Sequence, residues 1–394
     1  MYKRQLLQDH GFGKFRPTIA GQAWELWKKK YMPPHSLAKT ENKIDQRLER
    51  EAFHGARIEV LNDYRSAPRL WLFDVNALYP HVMNKNAYPV QPQHMYVGRL
   101  PHKTELADQE HVGMVDVTLT TTAPVLPHVD DGLLLFPVGT FRGCFTWPEL
   151  RTHWHLLADI QIHHSYTYRY ADIFGSWAHD MWALRQKYIY INDPVSAEGI
   201  KLLMNTLFGK FAQRKQKWVD VGDTKMPHGS EWATHYRPDF ELGKERAWHG
   251  RIQRWEVGGD TSQSRPLIAA HIAAHARIHM WKLMELAGMT NVYRVHTDSL
   301  MVNEEGAERL KHLVDPTKLG WLKEEWSERA VKIYGVDHIE YAQGRKLAGV
   351  AKEAEEISPG VYKQITYNGW TPAMGHGNPR QVIRSERITR KSKD

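Results

Sequence analysis

Apolar side chains recur at helical spacing in the middle of the chain. They follow one another at intervals of three or four residues, at Ile200, Leu203, Leu207 and Phe211. This period predicts a helix over 197–213 with one buried face. A second helix is predicted over 176–190, and the Asn-Asp-Pro run between the two is turn chemistry, so we expect a helical hairpin.

Other segments carry the patterns of strands and of one long helix. The apolar run 70–73 predicts a short strand, the turn-rich segment 113–145 predicts antiparallel strands, and 292–302 predicts a strand–turn–strand. A long helix is predicted over 264–286. The polar, Trp-rich segment 211–260 has no clear period, so the pattern predicts neither a helix nor a strand there. This order of elements is neither a βαβ repeat nor a bundle, which predicts an α+β fold.

Composition narrows the class of protein. The 394 residues, 42% of them apolar, are enough for several domains with cores, and the single cysteine, Cys144, excludes a disulfide framework, a cysteine-based zinc finger and an iron–sulfur cluster. A net charge of +8 suits a polyanionic partner. No apolar run approaches the roughly 18 residues of a membrane span, and the N-terminus lacks the apolar stretch of a secretion signal. We therefore expect a cytoplasmic protein without a membrane partner.

Two aspartates stand where predicted strands end. Asp74 follows the strand at 70–73, and Asp298 lies at the apex of the hairpin at 292–302. Either aspartate alone is explained as a turn cap. Carboxylates on adjacent strands of one sheet, however, can hold two Mg²⁺ ions roughly 3.5–4 Å apart, the arrangement used for in-line displacement at phosphorus. Together the two aspartates indicate a two-metal site.

The predicted helical hairpin carries cations and a polar stripe. Lys201, Asn205 and Phe208 are spaced i, i+4 and i+7 and therefore share one stripe of the second helix. Arg185 and Lys201 are equally far from the chain reversal, so we expect them to face each other as a clamp for a triphosphate, the alternative being a solvated basic face. Gly209 inside this helix costs about 1 kcal/mol relative to Ala, which indicates that a flat group approaches the backbone there.

Five short segments resemble motifs of the family B DNA polymerases, and within them the protein-primed branch of bacteriophages, adenoviruses and linear plasmids. The segments are FHGAR (53–57), DVNALYP (74–80), KLLMNTLFG (201–209), HTDS (296–299) and KIY (332–334). In order, they resemble the family's Y-x-G-G/A, D-x-x-S-L-Y-P, K-x-x-x-N-S-x-Y-G, the end of Y-x-D-T-D-S, and K-x-Y. Five matches in the correct order are far more specific than any one of them.

The resemblance implies a right-hand polymerase with an antiparallel-sheet palm, two-helix fingers and a small thumb. Such an enzyme adds deoxynucleotides from dNTPs to the 3′-OH of a DNA primer-template, or to a protein hydroxyl, by a two-metal mechanism. Asp74, the backbone carbonyl of Val75 and Asp298 would hold two Mg²⁺ ions, for which Mn²⁺ can substitute. A terminal or priming protein and other replication proteins are further partners that the resemblance implies.

The resemblance also implies roles for residues that contact the nucleotide and the DNA. Tyr79 would stack under the incoming sugar and exclude a 2′-OH. The other implied nucleotide contacts are Val75, Arg185, Lys201, Asn205, Phe208 and Gly209. The implied contacts to the primer-template are Phe53, Gly55, Ala56, Arg57, Thr297, Lys332 and Tyr334.

Several motif positions depart from the family pattern. Phe53 and Phe208 replace Tyr, and Ala77 replaces Ser, which removes hydroxyl groups but largely keeps the shape. Arg294 and His296 occupy the Tyr and the first Asp of Y-x-D-T-D-S. Because a protonated histidine would weaken metal binding, we expect activity to fall more steeply below neutral pH than in relatives with Asp.

The motifs also predict a domain organisation. We expect a lead-in at 1–52, a first part of the palm with an insertion at 53–175, fingers at 176–213, a second part of the palm with a polar insertion at 214–315, and a thumb with a basic tail at 316–394. The 52 residues before the FHGAR segment are too few for the family's 3′–5′ exonuclease domain. We therefore expect no proofreading.

Two other functions are compatible with the sequence. One is a polymerase specialised for priming or lesion bypass rather than genome copying. The other is a non-catalytic nucleic-acid-binding subunit with a polymerase fold, for which the departures at Arg294 and His296 leave room. Aromatic and basic residues within 211–260 suit stacking on a single-stranded template, although ordinary loop packing explains them equally well.

Overall fold

The structure is a computed structural model. It describes residues 10–32, 37–62, 69–100, 112–228, 231–236, 242–336, 338–342, 344–347, 355–358, 361–364 and 383–386. The chain divides into two compact units. The first unit contains the described residues up to Gly55 together with Tyr79–Ile278, and the second contains Ala56–Leu78 and the described residues from His279 onward.

Helices and strands alternate irregularly along the described chain. The α-helices are α1 (Ile19–Lys30), α2 (Lys43–Glu51), α3 (Leu78–Lys85), α4 (Trp147–His153), α5 (Gly175–Tyr190), α6 (Pro194–Phe211), α7 (Pro266–Ala287) and α8 (Glu304–Leu310). The strands that precede α7 are β1 (Ile58–Val60), β2 (Arg69–Val75), β3 (Tyr88–Val97), β4 (Val112–Thr121), β5 (His128–Asp130), β6 (Leu133–Leu135), β7 (Gly139–Thr146), β8 (Leu157–Ala171), β9 (Arg214–Asp223), β10 (Glu231–Tyr236), β11 (Leu242–Trp248) and β12 (Arg251–Asp260). The remaining strands are β13 (Val292–His296), β14 (Ser299–Val302), β15 (Leu322–Arg329), β16 (Lys332–Gly335), β17 (His338–Tyr341), β18 (Gly344–Leu347), β19 (Glu355–Ser358), β20 (Val361–Gln364) and β21 (Ile383–Glu386).

The predicted helical hairpin is confirmed in the first unit, where α5 and α6 pack against each other. Asp193 caps α6 by accepting a hydrogen bond from the Ser196 N–H at 3.0 Å, and Pro194 occupies the first helical position, where its missing N–H costs nothing. The inward stripe of α6 is buried as its period predicts, with Ile200, Leu203, Leu207 and Phe211 at most 4% exposed.

The first described helix is part of the same core. Trp24 and Trp27 of α1 lie with ring centroids 5.3 and 5.4 Å from that of Phe211. The indole of Trp27 also donates a hydrogen bond to the Ile173 carbonyl at 2.9 Å. Helix α1, which belongs to the expected lead-in, therefore stabilises the helical hairpin by burying aromatic surface against it.

A four-stranded antiparallel sheet of order β3-β8-β4-β7 forms the next layer of the first unit. Strands β4 and β7 confirm the antiparallel strands predicted over 113–145. Helix α2 packs on this sheet, and the hydroxyls of Tyr166 and Tyr168 donate hydrogen bonds to Asp45 at 3.0 Å and Glu49 at 2.9 Å. Two tyrosines of β8 thus fix the position of α2, which leads directly into the FHGAR segment.

The segment 214–260, for which the pattern predicted neither helix nor strand, forms a second four-stranded antiparallel sheet, of order β10-β11-β12-β9. Its inner strands are held by aromatic and cationic side chains rather than by an apolar alternation. Trp218 and Trp255 pair across β9 and β12 with centroids 5.0 Å apart, and the Arg246 guanidinium lies 4.2 Å from Trp218 and 4.4 Å from Trp248. The sequence pattern did not indicate these strands, because stacking between tryptophan and arginine leaves no alternation of apolar and polar residues.

The second unit contains a five-stranded antiparallel sheet of order β1-β13-β14-β2-β15. Strand β2 lies between β14 and β15, and its Leu70 and Leu72 are buried with Met301, Ile333 and Ile339. Because β15 pairs with β2, a boundary between palm and thumb at residue 316 would divide this sheet. The sheet continues to Arg329, at the end of β15.

Smaller sheets follow in the C-terminal part of the second unit. They have the orders β16-β17-β18 and β19-β20-β21. The predicted basic tail, RSERITRKSKD, begins at Arg384 within β21, and its residues after Glu386 lie outside the described residues. Among the helices described, none combines the length and the apolar character that crossing a membrane requires.

Candidate active site

The two aspartates predicted to bind metal lie side by side in the second unit. Strands β2 and β14 are antiparallel neighbours in which Asp74 stands opposite Ser299, and the Val75 N–H donates a hydrogen bond to the Asp298 carbonyl at 2.8 Å. Adjacent strands are about 5 Å apart and rise about 3.4 Å per residue, so the two aspartate α-carbons are roughly 6 Å apart. The sheet thus brings together the backbones of two aspartates that are far apart in sequence, and both residues are partly exposed.

Strained backbone adjoins both aspartates. The hairpin between His296 and Ser299 has a two-residue turn, which demands a left-handed conformation, and Thr297 adopts it with φ +59°. The Thr297 N–H is held by the Arg57 carbonyl at 2.9 Å. Ala77, three residues after the first aspartate, also has a positive φ of +50°. Such conformations persist only where the surroundings enforce them, so the backbone is tightly specified at both aspartates.

Asn76 connects the end of β2 to the loop before β15 through hydrogen bonds. Its backbone N–H donates to the Trp321 carbonyl at 2.9 Å, and its side-chain amide donates to the carbonyls of Asp315 at 2.9 Å and Lys318 at 3.1 Å. Its own carbonyl accepts from the Gly320 N–H at 2.8 Å. The sequence analysis gave Asn76 no role, although an asparagine directly after a strand is a residue type that often bonds to nearby backbone.

The donor set fits a hard divalent cation. Asp74 and Asp298 would supply carboxylate oxygens, and Val75, next to Asp74, would supply a backbone carbonyl, which are the ligand types that Mg²⁺ prefers. Among the residues that the structure describes, no group of three or more His, Cys, Asp or Glu is placed to hold a metal. Two carboxylates still suffice, because Mg²⁺ keeps several positions for water and substrate phosphates.

In the first unit, the two predicted phosphate-binding cations share an acidic neighbour. Lys201 lies 3.6 Å from Glu198 on α6. Burial lowers the pKa of Arg185 while the charge of Glu198 opposes that shift, and the Arg185 guanidinium lies 5.2 Å from the ring of Trp182. The Nε atom of Arg185 is buried without a hydrogen-bond partner. Nothing in the motif pointed to Glu198, and the clamp of Arg185 and Lys201 stays a prediction.

An aromatic stack lies on the exposed stripe of α6. The rings of Phe208 and Tyr79 are nearly parallel, with centroids 4.6 Å and planes 12° apart, and Phe53 lies 6.0 Å from Phe208. Asn205 is exposed on the same stripe. A side-chain carbon at Gly209 would have nothing within 4 Å, so the helix surface there is open, as the expected approach of a flat group requires.

Arg57 differs from the expectation that it contacts the template. Its side chain is only 2% exposed, lies 5.3 Å from the Trp281 ring and pairs with Glu59. Burial lowers the pKa of Arg57, and Glu59 opposes this shift. The buried guanidinium cannot reach a DNA strand, and the residue instead acts through its carbonyl on Thr297. The neighbouring Ala56 is partly exposed.

The KIY segment forms β16 and presents two of its residues on one face. Lys332 and Tyr334 are exposed, while Ile333 between them is fully buried. A hydrogen bond at 3.0 Å from the Tyr334 hydroxyl to Glu340 raises the pKa of that tyrosine. This alternation suits a strand that offers a cation and an aromatic ring on its outer side.

Arg294, which replaces a tyrosine of the family motif, has a structural role. Its side chain is 4% exposed and donates to the Val336 carbonyl through Nε at 3.0 Å and Nη2 at 2.6 Å. It therefore joins β13 to the segment that follows β16. The arginine at this motif position is thus buried, and the two-residue turn that contains Asp298 forms beside it.

Comparison with known proteins gives a consistent picture. The family described as DNA polymerase type B, organellar and viral, matches residues 12–231, more than half of the chain. A probable DNA polymerase of Neurospora intermedia is 23% identical over 340 residues, and one of Ascobolus immersus is 26% identical over 282 residues. These matches cover 81% and 67% of this chain but 34% and 22% of those proteins, so the chain spans about a third or less of the relatives' length.

Solved structures of Phi29 DNA polymerase share the fold. The complex with primer-template DNA superimposes with a TM-score of 0.62 at 16% identity, over 89% of this chain and 63% of that one. The complex with primer-template DNA and incoming nucleotides gives 0.63 at 15% identity, over 98% and 63%. The mixed helical and antiparallel architecture is thus that of Phi29 polymerase, and the resemblance inferred from the motifs is confirmed. The chain belongs to the type B DNA polymerases of organelles and viruses.

Proposed function

We propose that this chain is a template-directed DNA polymerase that adds deoxynucleotides to a 3′-OH or to a protein hydroxyl. The observation that carries the proposal is the adjacency of Asp74 and Asp298 on strands β2 and β14. A chain of the type B family needs such a pair of acids where it carries out phosphoryl transfer, and the family implies a divalent metal.

In this proposal Asp74, Asp298 and the carbonyl of Val75 hold two divalent ions, Mg²⁺ or, in its place, Mn²⁺. When bound, these ions lower the pKa of the attacking hydroxyl and neutralise charge on the leaving phosphates. The strained turn at Thr297 and the hydrogen bonds of Asn76 keep the carboxylates in place before the substrate arrives. Little reorganisation is then needed at the moment of reaction.

The residues of α5 and α6 would handle the nucleotide. Lys201 and Arg185 bind the triphosphate, and a phosphate oxygen would satisfy the buried Nε of Arg185. Tyr79 lies under the sugar and excludes a 2′-OH. The nascent base pair is shaped by Asn205, Phe208 and Gly209.

The DNA would be held by separate groups of residues. Phe53, Gly55 and Ala56 face the template, and Thr297 lies at the catalytic hairpin. Lys332 and Tyr334 hold the primer strand. In right-hand terms, the five-stranded sheet is the palm, the α5–α6 hairpin is the fingers, and the sheet of β16, β17 and β18 belongs to the thumb. A priming protein is a further proposed partner.

Extension of a labelled primer on a DNA template with dNTPs and Mg²⁺ tests the proposal. Asp74→Asn and Asp298→Asn should each lower the rate of incorporation at least about a thousandfold. Each change removes a carboxylate charge that would hold the metal ions, so the charge that develops on the phosphates is no longer neutralised. Glu324→Gln is the matched control, since Glu324 is an exposed acid on β15 of the same sheet and should leave the rate unchanged. A wild-type chain that binds the primer-template without extending it would instead be the non-catalytic subunit.

A further inference from the structure

A buried ion pair lies against the FHGAR segment in the first unit. Arg277 of α7 donates from Nε and Nη2 to Oε1 of Glu149 at 2.9 and 2.7 Å, and both residues are almost fully buried. The remaining nitrogen, Nη1, donates to two consecutive backbone carbonyls, those of His54 at 2.8 Å and Gly55 at 2.7 Å. One guanidinium therefore joins a helix, an acid and the backbone next to Phe53.

Both carboxylate oxygens of Glu149 accept hydrogen bonds in this arrangement. The run Thr-Trp-Pro-Glu at 146–149 is the sequence of a helix capping box, yet Thr146 makes no capping hydrogen bond to the backbone of α4. Its hydroxyl instead donates to Oε2 of Glu149 at 3.2 Å, while the other carboxylate oxygen accepts from Arg277. The acid is thus held from both sides and orients the guanidinium.

A buried ion pair is weak evidence for stability, since apolar side chains of the same volume often serve as well. The ion pair instead fixes the orientation of the groups to which Arg277 donates. The planar fork of arginine fixes two carbonyls and one carboxylate in a single geometry, which the point charge of a lysine cannot do. The structure therefore indicates that the backbone of residues 54 and 55 has to be held in one defined position.

A continuous series of contacts leads from this segment to the aromatic stack. Phe53 packs against the core beneath α2. Its ring centroid lies 6.0 Å from that of Phe208, and the Phe208 centroid lies 4.6 Å from that of Tyr79. With Phe in place of the family's Tyr at 53 and 208, these two rings have no hydroxyl to hold them. Their alignment depends on packing and on the backbone that carries them.

We propose that Arg277, oriented by Glu149, is a positioning residue for sugar selection by the polymerase. It holds the backbone of residues 54 and 55, this backbone places Phe53, and Phe53 supports the stack of Phe208 on Tyr79. The proposal rests on the proposed function, in which Tyr79 lies under the incoming sugar. It assigns a role in nucleotide selection to two residues that do not touch the nucleotide.

The test compares incorporation of a deoxynucleotide with that of the matching ribonucleotide. Arg277→Lys keeps the charge but loses the fork, and Phe53→Leu keeps the fork but loses the ring. Each should lower the ratio of kcat/KM for dNTP over rNTP roughly tenfold or more, because a small displacement of a positioning group has a large effect on rate. The double variant should lower the ratio no further than Phe53→Leu does, since both changes act through one series of contacts.

Arg265→Lys is the matched control. Arg265 also donates to two consecutive carbonyls of a distant segment, those of Leu37 at 3.3 Å and Ala38 at 2.9 Å, in the same unit. A purely structural effect would lower the melting temperature in both lysine variants and leave the sugar ratio at the wild-type value in both. We expect the ratio to change in Arg277→Lys only.

The outcomes separate this inference from the proposed function. A wild-type chain that incorporates no dNTP would refute the proposed function itself. An active wild type whose Arg277→Lys variant keeps the full sugar ratio would overturn the positioning role. If Arg277→Lys does not fold, Glu149→Gln takes its place, since it keeps the shape and an acceptor while removing the charge that orients the guanidinium. A wild-type ratio in folded Glu149→Gln would overturn the inference equally.

Discussion

Lys201 lies 3.6 Å from the carboxylate of Glu198 one turn earlier on α6, with both side chains about half exposed. The lysine is the residue that the family motif assigns to the triphosphate, and the acid also raises the pKa of Arg185 against the effect of burial. A negative charge therefore lies beside both cations before any nucleotide binds. In the proposed function, an incoming triphosphate replaces this carboxylate as their counter-charge.

Glu198→Gln should therefore tighten nucleotide binding. An exposed ion pair contributes about 0.5 kcal/mol, so removing the competing charge should lower the KM for dNTP about twofold at low salt, with kcat little changed. Glu308→Gln is the matched control, since Glu308 and Lys311 form an exposed pair of the same spacing at 3.3 Å. An unchanged or higher KM in Glu198→Gln would contradict the competition.

Thr297→Gly should stabilise the second unit. A β-branched residue at φ +59° is strained, and glycine adopts this conformation without a clash, so we expect the free energy of unfolding to rise by about 1 kcal/mol. Urea titration followed by circular dichroism measures the change. Thr317→Gly, at a position where φ is not positive, should destabilise instead. A loss of stability in Thr297→Gly would mean that contacts of the threonine side chain outweigh its strain.

Stability should fall as the pH drops below 6.5 because of two buried histidines. Burial lowers the pKa of His54 to about 3, aided by the charge of Arg277, and burial lowers the pKa of His271 to about 4. Between these values and 6.5 the unfolded chain binds the proton and the folded chain does not. The stability is therefore fully present above 6.5 and is lost as the pH falls towards 4 and then 3.

At pH 5 each histidine should remove about 2 kcal/mol relative to neutral pH. His271→Leu should abolish its own share, so that this variant loses about 2 kcal/mol less than wild type between pH 7.5 and 5. Urea titrations at the two pH values provide the measurement. Equal losses in the variant and the wild type would show that His271 is not neutral in the folded chain.

Arg246→Ala should loosen the sheet of β9, β10, β11 and β12. The guanidinium lies over two tryptophan rings, each worth about 1 kcal/mol when partly buried. Limited proteolysis should cleave the variant faster between residues 214 and 260. Arg251→Ala is the control, because Arg251 lies on the neighbouring strand but pairs with Asp223 instead of a ring. Equal cleavage rates for the two variants would show that the stack does not hold the sheet together.

The local pattern of apolar residues was sufficient to predict an element that buries a single face. The stripe of Ile200, Leu203, Leu207 and Phe211 predicted the inward side of α6, and the same period placed Lys201 and Phe208 on its outer side. The pattern failed over 214–260, since strands held by Trp218 and Arg246 show no alternation of apolar and polar residues. Helices thus followed from spacing, and this sheet did not.

The motif also did not indicate which of its side chains are buried. Arg57 belongs to a segment that the resemblance assigns to template contact, and arginine is ordinarily exposed. Its neighbours in space, Trp281 and Glu59, bury it instead. Likewise, nothing near Glu149 or Arg277 in sequence reveals that the two form a pair 128 residues apart.

The sequence by itself determined the family, the order of the motifs, and the identities of the two aspartates and the outer stripe of α6, because these depend on residue type and short spacing. Only the tertiary structure decided which residues meet. The register of β2 and β14 places Asp74 beside Asp298, and the packing of α7 joins Arg277 to the backbone of residues 54 and 55. Such long-range pairings are set by the burial of whole faces against one another, which no local stretch of residues encodes.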